Sequence, residues 1–287
     1  MNEWKPSENY RKIAEANRSF HIQLAALYDK TEGSVVDPHE QAVLETELDR
    51  ALTLLGGNPA EIRALDACGG SGSVSLKLLR RGVKVTLADI SSDLIKIFQD
   101  KCRDLGYQPE VACTEIADFL SDSRRTFDLI VFSAALHHLE NIEGVLALAF
   151  ERLAPGGLLL TFFDPTDRSQ LRTITRVIQR ADYYVFKISH QGADLPKAIG
   201  RRLRRIFAGV SADKKTNVPL DASTVGMLAE YHIEKGIDDK SLVARLCQVG
   251  YEVVQHDRYA GGRTDWMRKT AAAFGDATNF KLVLRKP

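Results

Sequence analysis

Asp66 and Asp89 are the side chains from which a chemical reading of this sequence starts. Leu65-Asp66-Ala67-Cys68-Gly69-Gly70-Ser71-Gly72 is a short apolar segment running into a glycine-rich turn, and Asp89 lies 23 residues beyond Asp66. Such a turn lets a ligand approach the backbone, because little Cβ stands in the way. A helix starting there offers unpaired N–H groups. An acid about 20 residues on, at the end of the next strand, accepts hydrogen bonds from ribose hydroxyls. Two features then separate the candidate ligands. The dinucleotide pattern GxGxxG would start at Gly70 and needs glycine where Ser75 stands. Asp66 would repel a pyrophosphate, whereas it suits an ammonium group. S-adenosylmethionine has an α-amino group, a ribose and no phosphate, so these residues favour it over a nicotinamide dinucleotide.

The surrounding pattern supplies the elements that must hold these acids. Residues 1–60 read as helix, with apolar residues three and four apart in 20–28 and 42–52. Short apolar strands follow at Ala64–Cys68, Val83–Ala88, Pro109–Cys113, Phe127–Phe132 and Leu158–Phe163, with Pro155-Gly156-Gly157 stopping the helix before the last. Ser92 reads as the N-cap of a helix running to Leu105. Strands apolar throughout and alternating with helices predict a doubly wound α/β fold, with ligands at the carboxyl ends of the strands. After Asp164 the alternation breaks; it resumes with a helix over 240–249, a strand over 251–259, a short helix over 264–274 and a last strand over 279–285. The expected division is an N-terminal helical cap (1–60), a core (61–164 and 236–287) and a basic, mainly helical insertion (165–235), with helices to about Phe207 and over Ser223–Ile233, and a looser stretch at Ala208–Asp221 between them.

Composition sets the class. The chain has 287 residues, 44% hydrophobic and 27% charged, which excludes disorder of the whole. No stretch approaches the ~18 uninterrupted apolar residues of a spanning helix, and Met1 to Pro6 lack the basic-then-apolar order of a secretory signal. Four scattered cysteines with no CxxC pair argue against a disulfide framework and a cysteine zinc site, so no metal is expected and a reducing cytoplasm is the default compartment. The net charge is +1, but Thr166 to Lys215 holds twelve Lys/Arg against four Asp, a local +8 that leaves −7 on the remainder. Arg168, Arg172, Arg176 and Arg180 recur every four residues, as along one helical face, and Arg201, Arg202, Arg204 and Arg205 form a second cluster.

The motifs LDACGGSG (65–72), LADIS (87–91), TEIADF (114–119), FDLIVFSAALHHLEN (127–141) and LAPGGLLLTF (153–162) together resemble the class I S-adenosylmethionine-dependent methyltransferases. The resemblance covers about Tyr28 to Phe163 and Asp239 to Leu284. It implies a seven-stranded sheet with the last strand antiparallel, and S-adenosyl-L-methionine as cofactor with S-adenosyl-L-homocysteine as product. The cofactor is then expected against Asp66, Ala67, Cys68, Gly69, Gly70 and Gly72, with Asp66 at its methionine part. Asp89 and Ile90 are expected at the ribose, and Ser133 after the fourth strand. Glu115 and Ile116 are expected at the adenine, with Asp118 as the competing choice. Cys68 stands where the family commonly has glycine, which narrows the turn. Tyr28, in the entry helices, is expected to close over the pocket.

His137 and His138 follow the fourth strand, where the methyl acceptor usually sits in this family. A histidine near pH 7 can take a proton from an acceptor hydroxyl, and His138 is the first choice; packing or loop hydrogen bonding is the competing reading. In such relatives an insertion after the fifth strand usually covers the acceptor. Tyr183 and Tyr184 then fit either an acceptor pocket rimmed by Arg201 and Arg258 or the insertion's own core. The arginines have three readings: a solvated face paired with the acidic remainder, guanidinium groups presented to an anionic small acceptor, or a surface (166–215) for nucleic acid, membrane or an acidic peptide. The expected activity is methyl transfer to a small or medium, anionic acceptor, on oxygen before carbon or nitrogen. The alternatives are an RNA or protein methyltransferase and a non-catalytic partner that keeps the fold. Asp66, Asp89 and the LHH loop argue against the last; Cys68 and the lack of a firm base argue for it.

Overall fold

β1 (Arg63–Ala67), β2 (Lys84–Asp89), β3 (Glu110–Cys113), β4 (Phe127–Ser133) and β5 (Leu153–Pro165) pair in parallel in this computed structural model. It describes residues 7–31, 33–122, 124–191, 235–262 and 264–287, without the side chains of 20–28, 30–34 and 183–191. β6 (Glu252–Tyr259) and β7 (Asn279–Arg285) complete the sheet in the order β3-β2-β1-β4-β5-β7-β6, with β7 antiparallel to both neighbours. The seven strands with an antiparallel last strand are those expected.

The strands are apolar on both faces because helices cover both. On one face α6 (Ile116–Asp122), α7 (Ile142–Arg152) and α9 (Asp239–Val249) pack Leu120, Leu146 and Leu246 against Ile130 and Leu159. On the other, α3 (Pro38–Leu55) and α4 (Ser73–Arg80) pack Leu44, Leu48 and Leu78 against Val131 and Leu160. α5 (Ser92–Leu105) seats Phe98 and Ile95 on Leu87. Two helices, α1 (Glu8–Thr31) and α2 (Gly33–Val36), precede α3. No helix among the described residues is long and apolar enough to cross a membrane.

Three local expectations change. The N-cap of α5 is Ser91, not Ser92: the Ser91 hydroxyl accepts from the Leu94 N–H, and Ser92 is already helical. β5 begins at Leu153, five residues earlier than expected, because Leu153 pairs with Phe127 and the Gly156 N–H donates to the Lys286 carbonyl. Pro155-Gly156-Gly157 therefore lies within a bulged strand start rather than ending the helix. Finally, Arg168 and Arg172 are not on a helix with Arg176 and Arg180. Asp167 caps a 3₁₀ turn over Arg168–Gln170, and α8 (Thr173–Gln191) begins only after Arg172.

The segment leaving β5 and the segment entering α9 lie side by side. Thr166 bridges Ile237, the Arg168 N–H donates to the Lys235 carbonyl, and the Ile237 N–H donates to the Pro165 carbonyl. α8 packs on α10 (Asp265–Ala273). The expected helix over Ser223–Ile233, the stretch 208–221 and the Arg201–Arg205 cluster lie outside the described residues.

Candidate active site

Acids end three strands of the sheet: Asp66 in β1, Asp89 at the end of β2 and Asp164 near the end of β5. All three are buried, Asp164 completely. Beside them, among the described residues, left-handed backbone occurs at three non-glycine residues: Cys68 after β1 (φ 57°), Ala134 after β4 (φ 52°) and Phe163 in β5 (φ 61°). These strands are neighbours in the sheet, so the strained positions gather at one edge of the fold. Such backbone costs on the order of 1–3 kcal/mol per residue and collects at functional sites. At Phe163 it accompanies a register shift between β5 and β7.

A cleft of about 710 Å³, counting space open to solvent, lies at these strand ends, within the usual range for a small-molecule site. Cys68 and Gly70 line it from the first turn, Asp89 and Ile90 from β2, Glu115 and Ile116 after β3, and Ser133 and His138 after β4. A smaller adjoining cavity is lined by Asp66, Cys68, Gly69 and Ser133. Ala67 is fully buried and Asp118 is exposed; neither lines either cavity.

Asp66 Oδ2 accepts from the Ser75 N–H (3.0 Å) and hydroxyl (2.6 Å). Its Oδ1 is buried with no partner within the protein. Burial pushes this carboxyl up to about 7, against the pull of the Ser75 bonds and with a further push from Asp89. Asp89 Oδ2 accepts from the Gly70 N–H and Oδ1 from the Ser91 N–H, both at 2.8 Å, so it ties the turn to α5. The glycines serve the turn's own packing as well as any ligand. A Cβ at Gly69 would stand 2.7 Å from the Asp66 carboxyl carbon, and one at Gly72 (φ +82°) 2.1 Å from the Phe98 ring. Burial and the surrounding carboxylates of Asp89, Glu115, Asp66 and Asp164 push the Cys68 thiol well up, so it is no thiolate nucleophile.

Glu115 is occupied by the protein. Its Oε2 accepts from the Ala117 (2.7 Å) and Asp118 (3.2 Å) N–H groups, capping α6, and its Oε1 accepts from the Tyr10 hydroxyl. Burial raises the Glu115 carboxyl in spite of these bonds. Tyr10, Ile13 and Asn17 of α1 line the cleft, and the Asn17 amide donates to the His138 carbonyl at 3.0 Å. At the far end of α1, Asp29 accepts from the Ser71 hydroxyl (2.5 Å) and pairs with Lys101 (2.6 Å). α1 is thus a strap across the strand ends. The expected aromatic was Tyr28, whose side chain lies outside the described residues; the aromatic that meets the cleft is Tyr10. Tyr10→Phe is expected to weaken S-adenosylhomocysteine binding about five- to tenfold by calorimetry, since it strips a buried carboxylate of one donor.

His137 and His138 occupy a short 3₁₀ turn, Leu136–His138, with ring centroids 4.1 Å apart. Only His138 lines the cleft. His137 is buried; its Nδ1 lies 2.9 Å from Asp164 Oδ1, which also accepts the His137 N–H at 3.1 Å. Asp164 was missed by the sequence reading, although an acid closing the fifth strand repeats the pattern of Asp66 and Asp89. Asn17 was missed because it is a polar residue on an amphipathic helix.

Of the residues expected at the acceptor, Arg258 is engaged elsewhere. Its guanidinium bonds both oxygens of fully buried Asp239 (2.8 and 2.6 Å) and Gln170 (2.8 Å), and it lines neither cavity. The side chains of Tyr183 and Tyr184, and Arg201 altogether, lie outside the described residues. Among the described residues no Lys or Arg lines the cleft.

The profile of a family described as a methyltransferase domain matches residues 39–256, more than half of the chain. The chain belongs to the class I S-adenosylmethionine-dependent methyltransferases. This methyltransferase is 32% identical over 139 residues to the tRNA 5-carboxymethoxyuridine methyltransferase of Escherichia coli K12, covering 48% of this chain and 51% of that protein. It therefore spans about half the length of that relative. It is 27% identical over 210 residues to the ubiquinone/menaquinone biosynthesis C-methyltransferase UbiE of Cronobacter sakazakii, covering 70% of each. In fold it is similar to the N-methyltransferase NodS of Bradyrhizobium japonicum in complex with S-adenosyl-L-homocysteine, with TM-score 0.53, 15% identity and coverage of 98% of this chain and 100% of that one. The methyl transfers named for these three differ, so membership alone does not select an acceptor.

Proposed function

We propose that this methyltransferase binds S-adenosylmethionine in the cleft and methylates a small or medium acceptor held beside the β4 and β5 ends, on oxygen in preference to carbon or nitrogen. The observation that carries the reading is Asp66 Oδ1, a buried acceptor with no partner, beside a cleft also lined by Asp89. The donor set suits the group: Asp66 for an ammonium, Asp89 for ribose hydroxyls, and the edge of the cleft at Glu115 and Ile116 for the adenine. When bound, the cofactor supplies an electrophilic methyl on a sulfonium.

The chain's own residues do the rest. Gly70 and Ser91 hold Asp89 in place. The α1 strap, fixed at Ser71 and at the His138 carbonyl, excludes water from the strand ends. His138 faces the cleft and takes the acceptor's hydroxyl proton at a ring nitrogen. With no cation lining the described cleft, an anionic acceptor draws no support there; a neutral hydroxyl acceptor fits better.

Titration of the purified chain with S-adenosylmethionine and with S-adenosylhomocysteine tests the reading. Saturable one-to-one binding of both is expected, and no heat with either overturns it. A tRNA acceptor is the second reading, favoured by the 32% identity to a tRNA methyltransferase. It requires salt-sensitive retardation of tRNA by the protein.

A further inference from the structure

We propose that the outer face of α8 with α10 is a docking surface for an anionic phospholipid membrane. The inference stands on this face alone and does not depend on the cofactor reading.

The charge on this face is not neutralised by the described residues. Elsewhere arginines find acids: Arg63 pairs with Asp128, Arg81 with Glu45 and Asp49, Arg245 with Glu143, and Arg268 with Asp37. Arg172, Arg176 and Arg180 are exposed, and among the described residues none of the three has a carboxylate partner. Arg176 donates to the Thr173 hydroxyl, and Arg172 lies 6.0 Å over the Phe274 ring. For these three, pairing with the acidic remainder is absent among the described residues.

The same face exposes large apolar side chains. Ile174 is 46% exposed and Val177 58%, one helical turn apart, with exposed Ala181 a further turn on. Trp266, 53% exposed, is in the first turn of α10. The two helices are tied antiparallel: Thr175 and the Arg172 N–H bond Asp276 beyond the end of α10, while Thr264 at its start bonds Asp182. Thr175, Asp182, Met267 and Ala271 are buried, so the outer sides of both helices meet solvent together.

Unpaired guanidiniums beside exposed aliphatic and indole side chains match an interface of phosphate headgroups over acyl chains. Phosphates of RNA would satisfy the arginines and leave Ile174 and Val177 in water. The residues outside 166–215 carry −7 and that segment, which contains α8, carries +8, so an anionic surface attracts the chain with the α8 segment foremost.

The test is co-sedimentation of the full chain with phosphatidylcholine vesicles, with and without phosphatidylserine. Binding is expected only with phosphatidylserine, and is expected to fall with added salt. Arg172→Gln/Arg176→Gln/Arg180→Gln is expected to lower partitioning about a hundredfold, from roughly fivefold per arginine. Ile174→Ser/Val177→Ser should lower it at least tenfold. Both variants should keep the circular dichroism and S-adenosylhomocysteine affinity of the parent, which separates docking from folding. Equal binding to uncharged vesicles, or none to either, overturns the proposal. So does retardation of tRNA lost in the arginine variant, if vesicles are not bound. Self-association of the parent abolished by the serine variant would also overturn it, assigning the face to a second copy.

Discussion

Asp89→Ala is expected to weaken S-adenosylhomocysteine binding about a hundredfold and to lower the unfolding free energy by about 2–4 kcal/mol. The two effects have separate origins. Asp89 accepts from the N–H groups of Gly70 in the turn and of Ser91 at the N-cap of α5, both buried, and a buried N–H left without an acceptor costs roughly 1–3 kcal/mol. Hydrogen bonds from ribose hydroxyls to a carboxylate contribute roughly 1.5–3 kcal/mol each, and 1.4 kcal/mol is tenfold in affinity. Asp89→Asn separates them: its amide oxygen can still accept one N–H, so much of the stability should return while the affinity stays low. Calorimetric titration and urea unfolding measure the pair. An Asp89→Ala protein that binds as tightly as the parent would remove the ribose assignment.

What the sequence disclosed depended on how local the cause was. β7 was legible to the residue, Asn279–Arg285, because its apolar run is bounded by turn residues on one side. The strand-end positions of Asp66 and Asp89 were legible because strand, turn and spacing lie within one unit of chain. Ser91 and Ser92 were confused since adjacent serines are equal as caps until the helix phase is known. The start of β5 was misjudged because Pro-Gly-Gly reads as a breaker, whereas pairing of Leu153 with Phe127 and of Gly156 with Lys286 decides it from far along the chain. The four-residue arginine period broke at Asp167, whose side chain accepts from the Ser169 N–H and starts a separate turn. Tyr10 and Asn17 were invisible for a related reason. Their importance comes from Glu115 and His138, over a hundred residues away, and no local pattern reports such a meeting.

Backbone strain and buried acids together describe how this fold holds a site open. Cys68 adopts a left-handed conformation that glycine would take at less cost, and the residue lines both cavities. Cys68→Gly is expected to tighten S-adenosylhomocysteine binding a few-fold by widening the turn; a loss of affinity would show that the thiol contributes a contact rather than an obstruction.

Asp66 should impose a pH dependence opposite in sign on folding and on cofactor binding. Its carboxyl is raised to about 7 in the folded chain by burial, and Glu40, also buried, is raised to about 7 by burial and by Asp37. Between the unfolded value near 4 and about 7, the folded chain holds protons that the unfolded chain has released. Stability from these groups is therefore fully present below about pH 4 and is lost progressively as pH rises through about 7. The unliganded protein should melt at a higher temperature at pH 5.5 than at pH 7.5. A ligand bearing an ammonium group selects the ionised Asp66. Its affinity should rise with pH by up to tenfold per unit below 7 and level off above it. Asp66→Asn removes the charge while keeping an oxygen for Ser75. It should flatten the binding slope, weaken S-adenosylhomocysteine about a hundredfold at pH 8, and remove Asp66's share of the pH-dependent melting while leaving that of Glu40. Titrations of both proteins at pH 5.5, 6.5 and 8 decide the matter. A slope retained in Asp66→Asn would assign the titration to another buried acid of the cleft, with Glu115, also raised by burial, the next to replace.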